Sequence, residues 1–560
     1  MNRETKRLGD LLLESGLITQ DQLGHVLEVQ KSTGKKIGEV FIEEGIVSED
    51  RIIEVLEFQL GIPHVDLNRY YIDPEIPGLI SEKIARRYIL IPVKKDRGKL
   101  IVAMADPLNI FAIDDIKILT GLDVVPLIAT SRGVLEAIDK HYETENVEEA
   151  LAEFKQDYQI DNINGIDEEI LSEVNKAPIV KLVNSIIRQA VKMKASDIHI
   201  EPFEKVIKVR FRIDGDLQEI MKPAKVIHSA VATRIKIISK MDIAEKRLPQ
   251  DGRIEMDVDG REIDLRISVL PTVYGEKVVM RILDRSNFLF SKRQLGFTQQ
   301  NLEAFDNIIQ SPNGIILVTG PTGSGKSTTL YAVLKELNQV SKNIITVEDP
   351  VEYQMDGINQ VQVNTKAGLT FANGLRSILR QDPDIIMIGE IRDNETAQIA
   401  VRAAITGHLV LSTLHTNDTA SSVTRLINMG IEPYLVSSSV VGITAQRLVK
   451  KICENCKTGH IADELEKKAL RAEDTEEVTV YKGTGCNLCN NTGYKGRTAI
   501  HEILPITKGI RLLVDAGASI DSIREEAQKQ NFVSLRDNCA QLVREGVTTI
   551  DELLRVTYSI

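Results

Sequence analysis

This 560-residue sequence predicts an α/β protein of several domains. Three observations lead there. From Phe297 onward, apolar strands such as GIILVTG, NIITVED, DIIMIGE and GHLVLST alternate with helical stretches, the pattern of a largely parallel sheet covered by helices. Between residues 176 and 290 the strands follow one another more directly, with Asp-Gly turns at Asp214–Gly215 and Asp259–Gly260, an α+β pattern rich in hairpins. The first 60 residues instead repeat a helical unit. At about 150 residues per domain, the length alone suggests three or four domains.

Composition narrows the class. With 42% hydrophobic and 27% charged residues the chain can bury several cores. Its 69 Lys+Arg against 81 Asp+Glu leave a net charge of −12, and 12 Phe, 12 Tyr and no Trp offer little to stack on bases. A nucleic-acid partner is therefore not expected. No apolar run reaches the roughly 18 residues that a membrane span needs. The opening MNRETKRLGD leads into no apolar secretory segment. The expected compartment is the cytosol, peripheral at the inner face of the membrane, with membrane contact only through partner proteins.

Taken in order, residues 1–62 are a tandem repeat. RLGDLLLESGLITQDQLGHVLEVQ (7–30) aligns without gaps on KIGEVFIEEGIVSEDRIIEVLEFQ (36–59). Each copy reads as a short helix ended by Gly16 or Gly45, an N-cap at Thr19 or Ser48, and a second helix with i, i+3, i+4 apolar spacing. Two such hairpins must share one core. Residues 63–142 predict a small α/β domain, with strands at YILIPVKK and KLIVAMADP turning at Asp96–Gly98, and helices at Asp114–Leu119 and Val134–Tyr142. Residues 143–175, with eleven Asp/Glu and one Lys, read as an acidic linker with transient helix. The middle domain, 176–290, carries a helix over Ile179–Met193 and strands at IHIEPF, IKVRFRID, RIEMDV and EIDLRISVL. The alternating α/β domain fills 291–560.

The strongest chemical signal lies in that last domain. Gly320, Pro321, Thr322, Gly323, Ser324, Gly325, Lys326 and Ser327, continued by Thr328, form a GxxxxGK[ST] loop between an apolar strand and the helical run TTLYAVLKEL. Its glycines let backbone N–H groups converge on phosphate oxygens at a helix N-terminus. Lys326 can reach β/γ-phosphates, and the Ser327 hydroxyl can ligate Mg²⁺. Acids at strand ends, Glu390 after DIIMIG and Glu348 in NIITVED, are placed to support the metal and an attacking water. His408 and His415 flank a further strand, where a histidine is usually structural but a pair could sense phosphate.

The order GPTGSGKST, ITVEDPVEY, LRQDPDIIMIGEIRD, ITGHLVLSTLHTN resembles the secretion ATPase superfamily that drives type II secretion and type IV pilus assembly. These are its Walker A, Asp box, Walker B and His box, and SDIHIEPF and RLPQDGR extend the likeness through the middle domain. The resemblance implies a PAS-like middle domain, a RecA-like ATPase domain, and a homohexamer that binds ATP between them. It implies that Glu348 activates water, that Glu390 supports Mg²⁺, and that His408 and His415 are the His-box histidines. Arg266 in DLRIS and Arg281 in VVMRIL match middle-domain arginines that approach the γ-phosphate, with a surface ion pair as the alternative for each.

Two further features extend this. Cys453, Cys456, Cys486 and Cys489 form two CxxC pairs, read in a cytosolic chain as metal or redox chemistry, and compatible with a closed, structural Zn²⁺ site over about 450–497. Cys539 reads as a core thiol. The N-terminal repeat reads either as a docking module or, by resemblance to the front domain of some family members, as a cyclic di-GMP site. The contacts so implied are Arg7, Leu8, Gly9, Leu23, Leu27 and Gln30 in one copy, and Lys36, Ile37, Gly38, Ile52, Leu56 and Gln59 in the other. Lys36 stands where Arg is usual, without the planar fork of a guanidinium.

The implied function is an ATPase extending a type IV pilus against an inner-membrane platform protein. LISEKIARRYILIPV favours that over the type II secretion ATPase, which shares every catalytic motif. A nucleotide-switched scaffold and a nucleic-acid translocase are alternatives of other classes. The complete acid set counts against the first and the net charge against the second.

Overall fold

A computed structural model describes residues 8–33, 37–67, 70, 72–73, 76–107, 109–139, 141–142, 177–284, 291–473, 475–530 and 532–557. The acidic linker 143–175 lies outside them. The chain divides into two compact units, Met1–Ile254 with Leu265–Ile282, and Glu255–Asp264 with Leu283–Ile560.

In the first unit the repeat forms four helices, Leu8–Glu14, Gln20–Thr33, Ile37–Glu43 and Glu49–Leu60. Leu12, Ile18, Leu23 and Val26 of one copy pack with Val40, Phe41, Val47 and Ile52 of the other, the shared core that the pattern requires. Gly16 and Gly45 end their helices at φ 70° and 67°. At Thr19 the backbone N–H donates to Gln22 Oε1 (2.8 Å) while the Gln22 N–H donates to Thr19 Oγ1 (3.3 Å), a reciprocal cap. Ser48 holds the N-cap position, but its side chain makes no capping bond.

The small α/β domain has strands β1 (Leu90–Asp96), β2 (Lys99–Met104) and β3 (Asp123–Ile128), with helices Glu82–Tyr88 and Ile110–Thr120. β1 and β2 are antiparallel, and β3 runs parallel to β2 at the edge. β3 (DVVPLI) carries Pro126, which is tolerated on an edge and obscures a strand pattern. The middle domain has β4 (Asp197–Pro202), β5 (Ile207–Ile213), β6 (Asp216–Met221), β7 (Gln250–Val258), β8 (Arg261–Thr272) and β9 (Gly275–Asp284), in the order β6-β5-β4-β9-β8-β7. Asp214 and Gly215 (φ 50°, 96°) and Asp259 and Gly260 (φ 54°, 78°) make the left-handed pairs that two-residue hairpins need.

The second unit is built on β10 (Gly314–Thr319), β11 (Ile344–Glu348), β12 (Asn359–Gln362), β13 (Ile385–Ile388), β14 (Leu409–Leu414), β15 (Val440–Ile452) and, after a separate β16 (Lys457–Ile461)–β17 (Thr479–Gly483) hairpin, β18 (Tyr494–Pro505). The sheet order is β12-β11-β13-β14-β10-β15-β18. The pairs are parallel except β15–β18. Its central strands are buried end to end, with separate apolar clusters around Leu317, Ile386 and Val410 and around Ile316, Val318 and Leu411. Burial on both faces explains the unbroken apolar runs in the sequence. The ends of β10, β11, β13 and β14 therefore share one edge.

Candidate functional site

At that edge β10 gives way to the phosphate loop. Gly323 and Gly325 take φ of 78° and 92°, a region that costs L-residues strain, and the helix Lys326–Leu337 begins immediately after. Pro321, Thr322, Gly323 and Ser327 are exposed and Ser324 is buried, its hydroxyl unpaired among the described residues. Lys326 Nζ donates to the carbonyls of Gly320 (2.9 Å) and Pro321 (3.1 Å). Burial lowers the pKa of this amine, as expected for a cation with no carboxylate in contact.

The acids arrive on neighbouring strands. Glu348 closes β11 and is 4% exposed. One oxygen accepts from Thr346 Oγ1 (2.6 Å) and Gln360 Nε2 (3.1 Å), and the other accepts from the Tyr331 hydroxyl. Burial, then the adjacent carboxylate, push the Tyr331 pKa far above its ordinary value, so this phenol remains a donor. Beside it, the Gly389 N–H donates to the Val347 carbonyl (2.8 Å), which sets Glu390 at the end of the next strand. Glu390 pairs with Arg392 (2.6 Å) and with His415 Nε2 (3.3 Å). The Thr416 N–H donates to Thr319 Oγ1 (2.9 Å), tying the segment after β14 to the last residue of β10.

The structure thus brings the phosphate loop, Glu348, Glu390 and His415 to one edge. His408 is not among them. It precedes β14, where its carbonyl accepts from the Gly314 N–H (3.1 Å) and its Nδ1 bonds the Ala403 carbonyl (2.9 Å). At about 3.3 Å per residue along the strand it lies roughly 23 Å from His415. Arg266 on β8 and Arg281 on β9 belong to the first unit. Arg281 is exposed, and its Nε donates to Asp197 Oδ1 (3.1 Å), its cross-strand partner. Sequence reasoning passed over Tyr331, Thr346 and Gln360. The available signal was a polar residue inside each of the apolar runs TTLYAVL and IITVE.

The four cysteines converge after β15 and before β18. Sγ–Sγ distances are 3.8 Å (Cys453–Cys486), 3.9 Å (Cys456–Cys489) and 3.7 Å (Cys486–Cys489), and all four sulfurs lie within 4.8 Å of one another. A zinc ion with Zn–S bonds of about 2.3 Å needs tetrahedral edges of about 3.8 Å, so the donor set fits. Burial raises the Cys453 pKa and takes Cys456 to about 12. At Cys486, hydrogen bonds from Asn455 and the Cys489 backbone outweigh the same burial and bring it to about 7. Cys539 is a fully buried core thiol.

In the repeat, Gly9 and Leu23 are buried against each other. A Cβ on Gly9 would stand 2.6 Å from Leu23 Cδ1 and 3.4 Å from Ile37 Cδ1, so the two copies meet there. Ile52 is buried, Leu27 exposed, and Gln30, Ile37 and Gly38 half-buried. Arg7 and Lys36 lie outside the described residues, as do the side chains of Leu8, Leu56 and Gln59.

Residues 172–555 match the family described as type II/IV secretion system protein, and residues 60–148 match the MshEN domain. The MshEN match covers the small α/β domain and begins where the tandem repeat ends. The type IV pilus assembly ATPase PilB of Myxococcus xanthus is 45% identical over 558 residues, 98% of each chain. The type II secretion system ATPase E of Vibrio cholerae is 50% identical over 391 residues, 70% of this chain and 78% of its own. In fold, the chain is similar to the ATPase DotB of Legionella pneumophila, with a TM-score of 0.51 at 20% identity over 71% of this chain and 98% of that one.

Proposed function

This chain belongs to the type II/IV secretion system protein family and is an ATPase, and on that premise we propose that it powers assembly of a type IV pilus. The observation that carries this is coverage. Similarity to the M. xanthus pilus ATPase runs through 98% of both chains. Type II secretion relatives cover less of the chain, 70% for the V. cholerae ATPase at higher identity and 89% for that of Xanthomonas campestris at 45%. That higher identity keeps type II secretion as the second reading. Deleting the gene and counting surface pili by electron microscopy, with the secreted proteins compared in parallel, separates the two. Lost pili with intact secretion is the expected result, and the reverse would transfer the chain to secretion.

The motor is proposed to work as a cytoplasmic homohexamer at the inner face of the membrane, against an inner-membrane platform protein. Amides of the loop from Gly320 to Thr328 hold the phosphates of ATP, and Lys326 exchanges its bonds to Gly320 and Pro321 for phosphate oxygens. Ser327 and Glu390 hold Mg²⁺, which supplies charge neutralisation on the phosphates when bound. Glu348, oriented by Tyr331, Thr346 and Gln360, takes a proton from the attacking water. His415 steadies Glu390. His408 anchors the start of β14 and would reach the chemistry only through that strand. Arg266 and Arg281 would neutralise charge that develops on the transferred phosphoryl group. Zn²⁺ on the four cysteines would close the insertion structurally, leaving no position for catalysis.

Regulation by cyclic di-GMP is proposed for the N-terminal region. The in-register copies support it, since a ligand with two guanines suits a tandem motif, and so does the MshEN match. Coupling needs a ligand that prefers one arrangement of these domains over another. Calorimetry on the full chain with cyclic di-GMP, and GTP as control, tests it; no saturable heat at micromolar concentrations leaves the repeat a docking module.

A further inference from the structure

Gln446 belongs to none of the recognised motifs, yet the structure sets it directly beneath the phosphate loop. It stands one position past Ala445, the β15 partner of Thr319, so β15 continues under the loop where β10 stops. Its side chain is 2% exposed and bonded at both ends of the amide. Nε2 donates to the Ser324 carbonyl at 2.8 Å, and Oε1 accepts from the Thr329 hydroxyl at 2.7 Å. A carbonyl can only accept, so this amide has one workable orientation; turned over, it would set two acceptors face to face.

The consequence reaches the loop through peptide geometry. In a planar trans peptide, C=O and N–H point in opposite directions. Pinning the Ser324 carbonyl onto Gln446 therefore aims the Gly325 N–H away from Gln446. The Thr329 hydroxyl also approaches the Gly325 carbonyl (3.3 Å), which ties the first helical turn to the same anchor.

Packing leaves the anchor no slack. A Cβ on Gly320 would stand 2.4 Å from the backbone carbonyl oxygen of Gln446, and one on Gly325 would stand 2.7 Å from Gln446 Nε2. Both distances are too short for a side chain, and they add to the constraint already set by the positive φ of these two glycines, 148° and 92°. The cross-strand partner of Gln446, His501, is fully buried and stacked on Phe297 with ring centroids 3.7 Å apart.

We propose that Gln446 is a positioning residue for the nucleotide: it holds the Ser324–Gly325 peptide in the orientation that binds phosphate, and so sets nucleotide affinity rather than the chemical step. The inference rests on the ATPase reading of the loop.

The test uses the full chain with Gln446→Glu and Gln446→Met. Glutamate still accepts from Thr329 but turns an oxygen toward the Ser324 carbonyl; methionine keeps the length without any donor. KM for ATP and the dissociation constants of MgATP and MgADP should rise on the order of 10-fold, with kcat at saturating ATP within about threefold, the signature of lost uniform binding. The thermal shift produced by MgADP should shrink, while the melting temperature of the unliganded methionine variant stays near wild type. If the glutamate variant does not fold, the methionine variant decides. A folded variant with unchanged KM and MgADP affinity overturns the proposal, as does a fall in kcat at unchanged KM. Wild-type protein that binds no MgATP would remove the ATPase reading itself, a result distinct from either.

Discussion

The phosphate loop and the four-cysteine cluster occupy the same structural unit and solve opposite problems. The charged groups at the loop are held by internal bonds: Lys326 is bonded to two loop carbonyls, and Glu348 to Tyr331, Thr346 and Gln360. Such a site can exchange internal bonds for ligand bonds and return, which a motor requires on every cycle. The cysteine cluster holds four buried sulfurs at the edge lengths of a tetrahedron, and thiols are weak hydrogen-bonding groups. Such a geometry fits a cation at its centre, with all four positions taken by protein ligands. The first arrangement is built for turnover and the second for closure.

The largest effect that would separate them is expected from Lys326→Ala. Hydrolysis should fall to background while the melting temperature stays near wild type, because the amine's partners are two backbone carbonyls of its own loop and no carboxylate is left unpaired by its loss. Phosphate release and thermal denaturation measure both; residual turnover would show that another cation holds the phosphates. Arg266→Ala and Arg281→Ala should each depress turnover by about 10³-fold. Unchanged steady-state activity would reduce Arg281 to its pair with Asp197, and Arg266 to a structural role.

A smaller loss, about 10²-fold or more in kcat, is expected from Glu348→Gln, with MgATP binding retained because the amide preserves shape but not basicity. Near-wild-type turnover would remove Glu348 from proton transfer. Cys456→Ser should have the least effect on the chemistry. Zinc measured by elemental analysis should fall from one per chain and the unfolding temperature should drop, with MgADP affinity within about threefold of wild type. A zinc content near zero in the parent protein, with native thiols freely titratable, would dissolve the contrast between the two sites.

Much of this was legible in the sequence for local reasons. Fully buried parallel strands leave continuous apolar runs, and β10, β11, β13 and β14 were each visible as such. The Asp-Gly pairs at 214–215 and 259–260 take left-handed conformations open to few residue types, so they mark hairpins unaided. The repeat showed its shared core because both copies carry the same helical period. Where local pattern weakened, strands were lost. β3 contains Pro126, and β6 (DLQEIM) is a half-exposed edge strand without strict alternation. Ser48 shows the limit at single-residue scale, with the right residue in the right place and no capping bond.

What the sequence determined by itself is the chemistry that short segments carry. The phosphate loop, the acids at strand ends and the two CxxC pairs are each a few residues long, and their residue types are dictated by what they bind. Tertiary structure alone decided which of them meet. Parallel register sends the C-terminal ends of β10, β11, β13 and β14 to one edge, which gathers Glu348, Glu390 and His415 and leaves His408 at the other end of β14. It also set Gln446 beneath Ser324, 122 residues away in sequence. No local periodicity records that pairing, because a contact across a sheet depends on strand order and register, and these are settled only when the whole core packs.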